Sequence, residues 1–143
     1  MERLRARAAA LVDEGAPFVL AGDYNVIPAP DDCWDEAEWR DDALYLLPSR
    51  QAFRRIANLG LTDAFRAVHP RAASAYSFWD YQKGRWHRGE GIRIDHLMLS
   101  PAAADRLVGA DIDKGPRGKP KASDHTPVWC ELADKQPRPL LAV

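Results

Sequence analysis

The chain has 143 residues, of which 46% are hydrophobic and 29% charged, with 5 Trp, 2 Cys and a formal net charge of −1. That size and balance fit one soluble globular domain and argue against a histone-like electrostatic binder. No apolar run approaches the ~20 residues of a spanning helix, and the Arg-rich first residues have no long hydrophobic stretch behind them, so membrane and secretory-signal readings fall away.

Residues 2–14 are predicted to form an amphipathic helix, because Leu4, Ala8, Leu11 and Val12 share one face and Gly15 marks its end. No capping residue precedes it and the apolar stripe is already running at the first residues, so the chain is expected to begin inside a helix. Residues 18–20 read as a short strand ending at Gly22-Asp23. Residues 24–48, with Pro28, Pro30, Pro48 and an acidic cluster, read as a long loop. Ser49 is expected to cap a helix through Asn58 with Phe53, Ile56 and Ala57 inward, and Asp63 a second helix through Val68. Residues 75–81 are aromatic and strand-like, and Gly84 and Gly89 mark a turn region. In a strand over 92–99, Ile92, Ile94, His96 and Met98 alternate with Arg93, Asp95, Leu97 and Leu99, so Asp95 and His96 are expected on opposite faces. Pro101 opens a helix to Leu107, residues 110–112 are a candidate strand, and 126–132 form the last one after a Gly/Pro/Lys-rich loop. The alternation predicts an α/β domain with a mixed sheet and flanking helices.

Charge is uneven along the chain. Seven acids against Arg40 lie between Asp31 and Asp42, whereas nine bases against five acids lie between Lys83 and Lys121. A basic surface or a merely solvated charged face both fit that pattern. Cys33 and Cys130 lack metal-type spacing and read as reduced thiols of a cytosolic protein, in the bacterial cytosol or nucleoid, which also argues against zinc.

Three segments carry candidate chemistry: Gly22-Asp23-Tyr24-Asn25, Arg93-Ile94-Asp95-His96 and Ser123-Asp124-His125. Asp23 and Asn25 form either an Asx turn or the edge of a site. Asp124 and His125 are either turn and surface residues or ligand and acid–base groups. Asp95, flanked by Ile94 and Leu97, is costly to bury without a partner, and His125 would supply one, its other ring nitrogen facing a substrate. Asp23, Asp124 and the Asn25 amide suit a hard cation such as Mg²⁺ or an attacking water beside a phosphate. No Ser or Cys nucleophile accompanies them, which favours direct metal-assisted hydrolysis.

Gly22-Asp23-Tyr24-Asn25-Val26, Phe78-Trp79-Asp80-Tyr81, Gly91-Ile92-Arg93-Ile94-Asp95-His96-Leu97 and Ser123-Asp124-His125-Thr126-Pro127-Val128 together resemble the ordered motifs of the exonuclease III family. That family comprises Mg²⁺-dependent DNA-repair nucleases of the endonuclease/exonuclease/phosphatase superfamily, and the motifs run from about Gly22 to Leu132. The resemblance implies that Asp23 orients or activates water, that Asn25 holds phosphate and water, and that Asp124 contributes to a Mg²⁺ site, with Mn²⁺ an alternative. It implies that His125 stabilises transition-state charge with Asp95 behind it, and that Trp79 lines a pocket for a base-free sugar; the alternative for Trp79 is an ordinary core tryptophan. Arg85, Arg88 and Lys121 are further candidates for DNA phosphates, or are simply solvated.

The substrate implied is duplex DNA with abasic sites or 3′ ends. The activities implied are 3′ to 5′ exonuclease, abasic-site cleavage and removal of 3′ phosphates. A superfamily enzyme acting on another phosphorylated substrate and a catalytically inactive nucleic-acid-binding module are the alternatives. Family members are usually nearly twice as long, and their first half supplies an Asn and a Glu metal ligand and a catalytic Tyr. Residues 1–133 are therefore expected to be the C-terminal half of a two-sheet α/β sandwich, with 134–143 a flexible tail. The expected consequences are an uncovered apolar sheet face, pairing with a separate N-terminal half or with itself, and weak metal binding and hydrolysis.

Overall fold

The computed structural model describes residues 1–134. Apart from Asp134, the expected tail lies outside the described residues. The helices are α1 (Glu2–Asp13), α2 (Glu36–Trp39), α3 (Leu47–Ala57), α4 (Ala64–Val68), α5 (Arg85–Arg88) and α6 (Pro101–Ala104). The strands are β1 (Val19–Asp23), β2 (Thr62–Asp63), β3 (Asp95–Leu99), β4 (Leu107–Ile112) and β5 (Val128–Leu132). They form a three-stranded sheet in the order β1-β3-β2 and a two-stranded sheet β4-β5. Among the described residues no helix is long and apolar enough to cross a membrane.

The α/β organisation with two sheets and flanking helices is as expected, but every ladder is antiparallel rather than mixed. A parallel pair needs a crossover that carries the chain back to the same sheet end. Here β1 and β3 are separated by the whole 24–94 stretch, with α2 to α5 and β2 within it, and no single βαβ crossover joins them.

Alternation along β3 builds the core. Met98 faces α1 and α3, packing with Ala8, Val26, Phe53, Ile56 and Leu61. Leu99 faces the other way, onto Ala64, Ala103 and Ala110, which ties β3 to α4, α6 and β4. Each large aliphatic side chain so buried stabilises the fold by ~1.5–3 kcal/mol. A third cluster of Ile27, Cys33, Tyr45, Ile92 and Ile94 fastens the long 24–48 segment beneath the start of β3.

Several elements differ from expectation, each for a local reason. The third helix starts at Leu47, because the fixed φ of Pro48 suits a first helical turn. Ser49 is not its cap; its hydroxyl donates to Ala43 O at 2.6 Å. The 24–48 segment contains a 3₁₀ turn at Pro30–Asp32 and the short α2, capped by Asp35. Residues 75–81 form no strand: Phe78 makes isolated bridges to Ile92 and His125. β3 begins only at Asp95, because the Arg93 N–H goes to Asp32 O and the Ile92 N–H to Phe78 O. Ser100 caps α6, which stops at Ala104, so that β4 starts at Leu107. The last strand starts at Val128 because the Thr126 N–H is spent on Ser77 O and Pro127 has no N–H to give. Two expectations hold as stated: α1 has no side-chain cap, and Asp63 caps α4 by accepting from the Arg66 N–H at 3.3 Å.

Candidate active site

The end of the β1–β3 ladder gathers the candidate residues. Asp23 and Asp95 are direct cross-strand partners, so two carboxylates project from one face of the sheet. Like charges in that position repel, and each must be held by something else. Asp23 is held by Asn25: the Asn25 N–H donates to Oδ1 at 2.8 Å and the side-chain Nδ2 to Oδ2 at 3.0 Å. This is the Asx turn, and it carries Asn25 into the left-handed region at φ 49°. The second N–H of the Asn25 amide remains for another acceptor.

Asp95 is held from two sides at one oxygen. His125 Nδ1 lies 2.9 Å from Oδ2, and the Ser77 hydroxyl donates to the same atom at 2.7 Å. Ser77 is buried, and its oxygen also accepts from the N–H groups of Ile94 and Asp95 at 3.2 and 3.1 Å. The carboxylate therefore selects the Nδ1–H tautomer of His125 and leaves Nε2 for a ligand. The His125 side chain is 33% exposed, and its ring meets Phe78 edge-on at 5.0 Å.

Asp124 comes to the same edge through the backbone: its carbonyl accepts from Trp79 N at 2.9 Å, while Ser123 Oγ donates to its Oδ1 at 3.4 Å and accepts from His125 N at 3.1 Å. Trp79 itself is only 2% exposed. Its ring packs edge-on against Trp86 at 4.8 Å and, with Tyr76 and Trp86, lines a cavity of about 290 Å³ with Lys114 at its rim. The aromatic that touches His125 is its neighbour Phe78. Tyr24 lies inside the first motif, but its hydroxyl donates to Leu20 O at 3.0 Å, and burial, aided by the Asp63 charge, pushes its pKa up to about 12. Tyr24 thus supplies no phenolate here.

The basic candidates are partly neutralised. Arg85 is paired with Glu38 and Glu90, and Arg88 with Glu90 at 2.5 Å. Lys121 is exposed two residues ahead of Ser123. For a metal ion, Asp124 offers one carboxylate, and both oxygens of Asp23 are engaged by Asn25. Among the described residues no group of three or more His, Cys, Asp or Glu side chains is placed to hold a metal. The donor set therefore does not by itself fit a complete Mg²⁺ site.

Reasoning from the sequence missed Ser77, Phe78 and a buried charge cluster behind the site. Arg93, 2% exposed, donates from Nε to Asp32 Oδ1 and from Nη1 to Asp63 Oδ2, both at 2.7 Å, and Arg66 reaches Asp32 Oδ1 at 2.5 Å. A charge set into an apolar alternating pattern is itself a signal that partners exist elsewhere, and Arg93 carries that signal. Ser77 carries none.

Comparison with known proteins gives the same picture. The model of the endonuclease/exonuclease/phosphatase family matches residues 1–125. Exodeoxyribonuclease III of Haemophilus influenzae is 33% identical over 126 residues, covering 84% of this chain and 47% of that protein. Among solved structures, a 3′ phosphatase from Neisseria bound to a product DNA hairpin superposes with a TM-score of 0.84 at 36% identity, over 92% of this chain and 52% of that one. An AP endonuclease from Archaeoglobus fulgidus superposes with a TM-score of 0.85 at 34% identity, over 92% and 51%. The chain spans about half the length of the relatives it matches.

Proposed function

The chain belongs to the endonuclease/exonuclease/phosphatase family, and from that premise we propose that it serves phosphodiester hydrolysis in DNA repair, of the exonuclease III type. The supporting observation is the alignment of two locked pairs, Asp23–Asn25 and Asp95–His125, on neighbouring strands at one sheet edge. The named relatives, an exodeoxyribonuclease, an AP endonuclease and a 3′ phosphatase, favour duplex DNA with an abasic site, a 3′ phosphate or a 3′ end as the substrate.

In this reading Asp23 orients a water and takes its proton as the water oxygen bonds to phosphorus and the leaving P–O bond breaks. The free N–H of Asn25 holds a phosphate oxygen. His125, its ring fixed at Nδ1 by Asp95, acts in its imidazolium form, donating Nε2–H to the oxygen on which charge grows. Trp79, lining its cavity with Tyr76 and Trp86, receives the base-free sugar, while Phe78 packs against His125. Magnesium, or manganese in its place, would supply charge neutralisation at the phosphate, with Asp124 as the carboxylate this chain offers. Because its own donors do not complete that shell, hydrolysis by this chain alone is slow. A cytosolic or nucleoid location belongs to the same proposal.

The test is cleavage of abasic, 3′-phosphorylated and recessed duplexes in Mg²⁺ and in Mn²⁺, using the 143-residue chain and its Asp23→Asn and His125→Ala variants. Any cleavage is expected to fall by at least ~100-fold in either variant. Equal cleavage by wild type and both variants would remove the proposal. Duplex binding with a steep salt dependence and no cleavage would instead select a binding role, which the incomplete donor set favours as the second reading.

A further inference from the structure

His96 has no part in the chemistry described above, yet it is the most constrained titratable side chain behind the site. It lies on β3 opposite Gly22, on the face away from Asp95, and is 1% exposed. Its ring packs against Tyr24 at 5.5 Å and Phe53 at 4.8 Å. Both ring nitrogens are engaged. Nδ1 lies 3.1 Å from Arg93 Nη1, and Nε2 lies 3.2 Å from Val26 O.

These two contacts fix the proton. A guanidinium only donates, so Nδ1 must accept from Arg93, and the ring hydrogen is left on Nε2, aimed at the Val26 carbonyl. Arg93 is in turn immobilised by Asp32 and Asp63. The chain of bonds therefore runs from a buried ion cluster, through one imidazole, to the residue that follows Asn25.

Asn25 needs such support. A non-glycine residue at φ 49° persists only where its surroundings over-determine it. Upstream, Asp23 sits in the ladder and Tyr24 N–H donates to Ile94 O at 2.9 Å. Downstream, the hold consists of Ile27 N–H on Leu44 O at 2.9 Å and the His96 bond to Val26 O. Of these, the His96 bond is the nearer to Asn25.

We infer that His96 is a positioning residue: its Nε2–H, oriented by Arg93, clamps Val26 O and so holds the Asp23–Asn25 turn in the geometry that faces His125. The inference rests on the nuclease reading for its effect on rate, but its structural half can be tested without substrate.

The variants separate the bonds from the packing. His96→Phe keeps the ring and loses both bonds. His96→Asn offers Arg93 an acceptor where Nδ1 stood but cannot reach Val26, and it also stands in for the Phe variant if that one fails to fold. His96→Gln carries an amide nitrogen as many bonds from Cβ as Nε2 is, and so restores the donor to Val26. Two readouts apply: kcat and KM on an abasic duplex, and the backbone and side-chain amide resonances of Asn25. In the folded Phe and Asn variants kcat is expected to fall by on the order of tenfold or more, KM to stay within about twofold, and the Asn25 resonances to move. His96→Gln is expected to recover most of both losses.

A residue that merely packs the core would lower the melting temperature without moving kcat or the Asn25 signals, and that result would overturn the inference. So would a Gln variant that behaves like the Asn variant. If the wild-type chain cleaves no duplex, the nuclease reading fails, and the Asn25 resonances decide the inference by themselves: unmoved signals in the Asn variant would overturn it.

Discussion

Asp63 stands where α4 begins and where the buried charges meet. It accepts from the Arg66 N–H as a helix cap and from Arg93 Nη1 at 2.7 Å, with His96 Nδ1 at 3.8 Å. Burial alone would raise its pKa, but the Arg93 guanidinium bonded to it outweighs burial and holds the carboxyl well below the usual range. For a group depressed in the folded state, the stability it contributes is fully present above the unfolded value of about 3.9 and is lost as pH falls through the folded one. Asp63→Asn is therefore expected to cost about 2 kcal/mol near neutral pH, a penalty that shrinks as pH falls below about 4. Urea midpoints measured from about pH 7 down to about pH 2 check this; parallel curves for the two proteins would contradict it.

At the scale of elements, the site depends on two irregular segments, 76–79 and 91–94, lying side by side. Their closeness is set by Gly91, where an added Cβ would stand 2.5 Å from Trp79 Nε1 and 2.6 Å from Tyr76 Cβ. Gly91→Ala must push the segments apart. The expected cost is about 1–3 kcal/mol, read from the urea midpoint, with disturbed His125 resonances because Phe78 and Ser77 move with the displaced segment. An unchanged midpoint would show that the contact relaxes freely.

The same segments mark the limit of what the sequence reveals. Local signals identify α1 from its apolar stripe, α4 from its Asp63 cap, and the two faces of β3 from alternation. The Asp95–His125 pair is also legible, since a carboxylate between Ile94 and Leu97 requires a partner. Residues 75–81 have strand-like composition, yet their backbone bonds go to Ile92, Asp124 and Thr126 rather than to a ladder. The reach of Arg93 to Asp32 spans 61 positions, and that of Ser77 to Asp95 spans 18. Composition and periodicity carry no information on such pairings, because they are decided by tertiary packing.

At the scale of the whole molecule, the uneven charge of the sequence folds back on itself. The acidic 31–42 segment meets the basic 83–121 segment through the Arg85–Glu38 pair, Arg85 is also paired within its own segment to Glu90, and Arg93 and Arg66 meet Asp32 in the interior. Fewer cations are therefore free to meet a polyanion than the count along the chain suggests, consistent with a net charge of −1. Counterion release makes this testable, since each phosphate neutralised adds ~0.9 to the slope of log affinity against log salt on duplex DNA. Glu38 is exposed enough for its removal to leave the core intact. Glu38→Gln frees Arg85 from one of its two carboxylates, so duplex affinity at low salt is expected to rise by about two- to fivefold and the salt slope to steepen by about 0.5–0.9. Fluorescence anisotropy of a labelled duplex across a salt series measures both quantities. If affinity and slope stay at wild-type values, the duplex of the proposed function does not pass over α5.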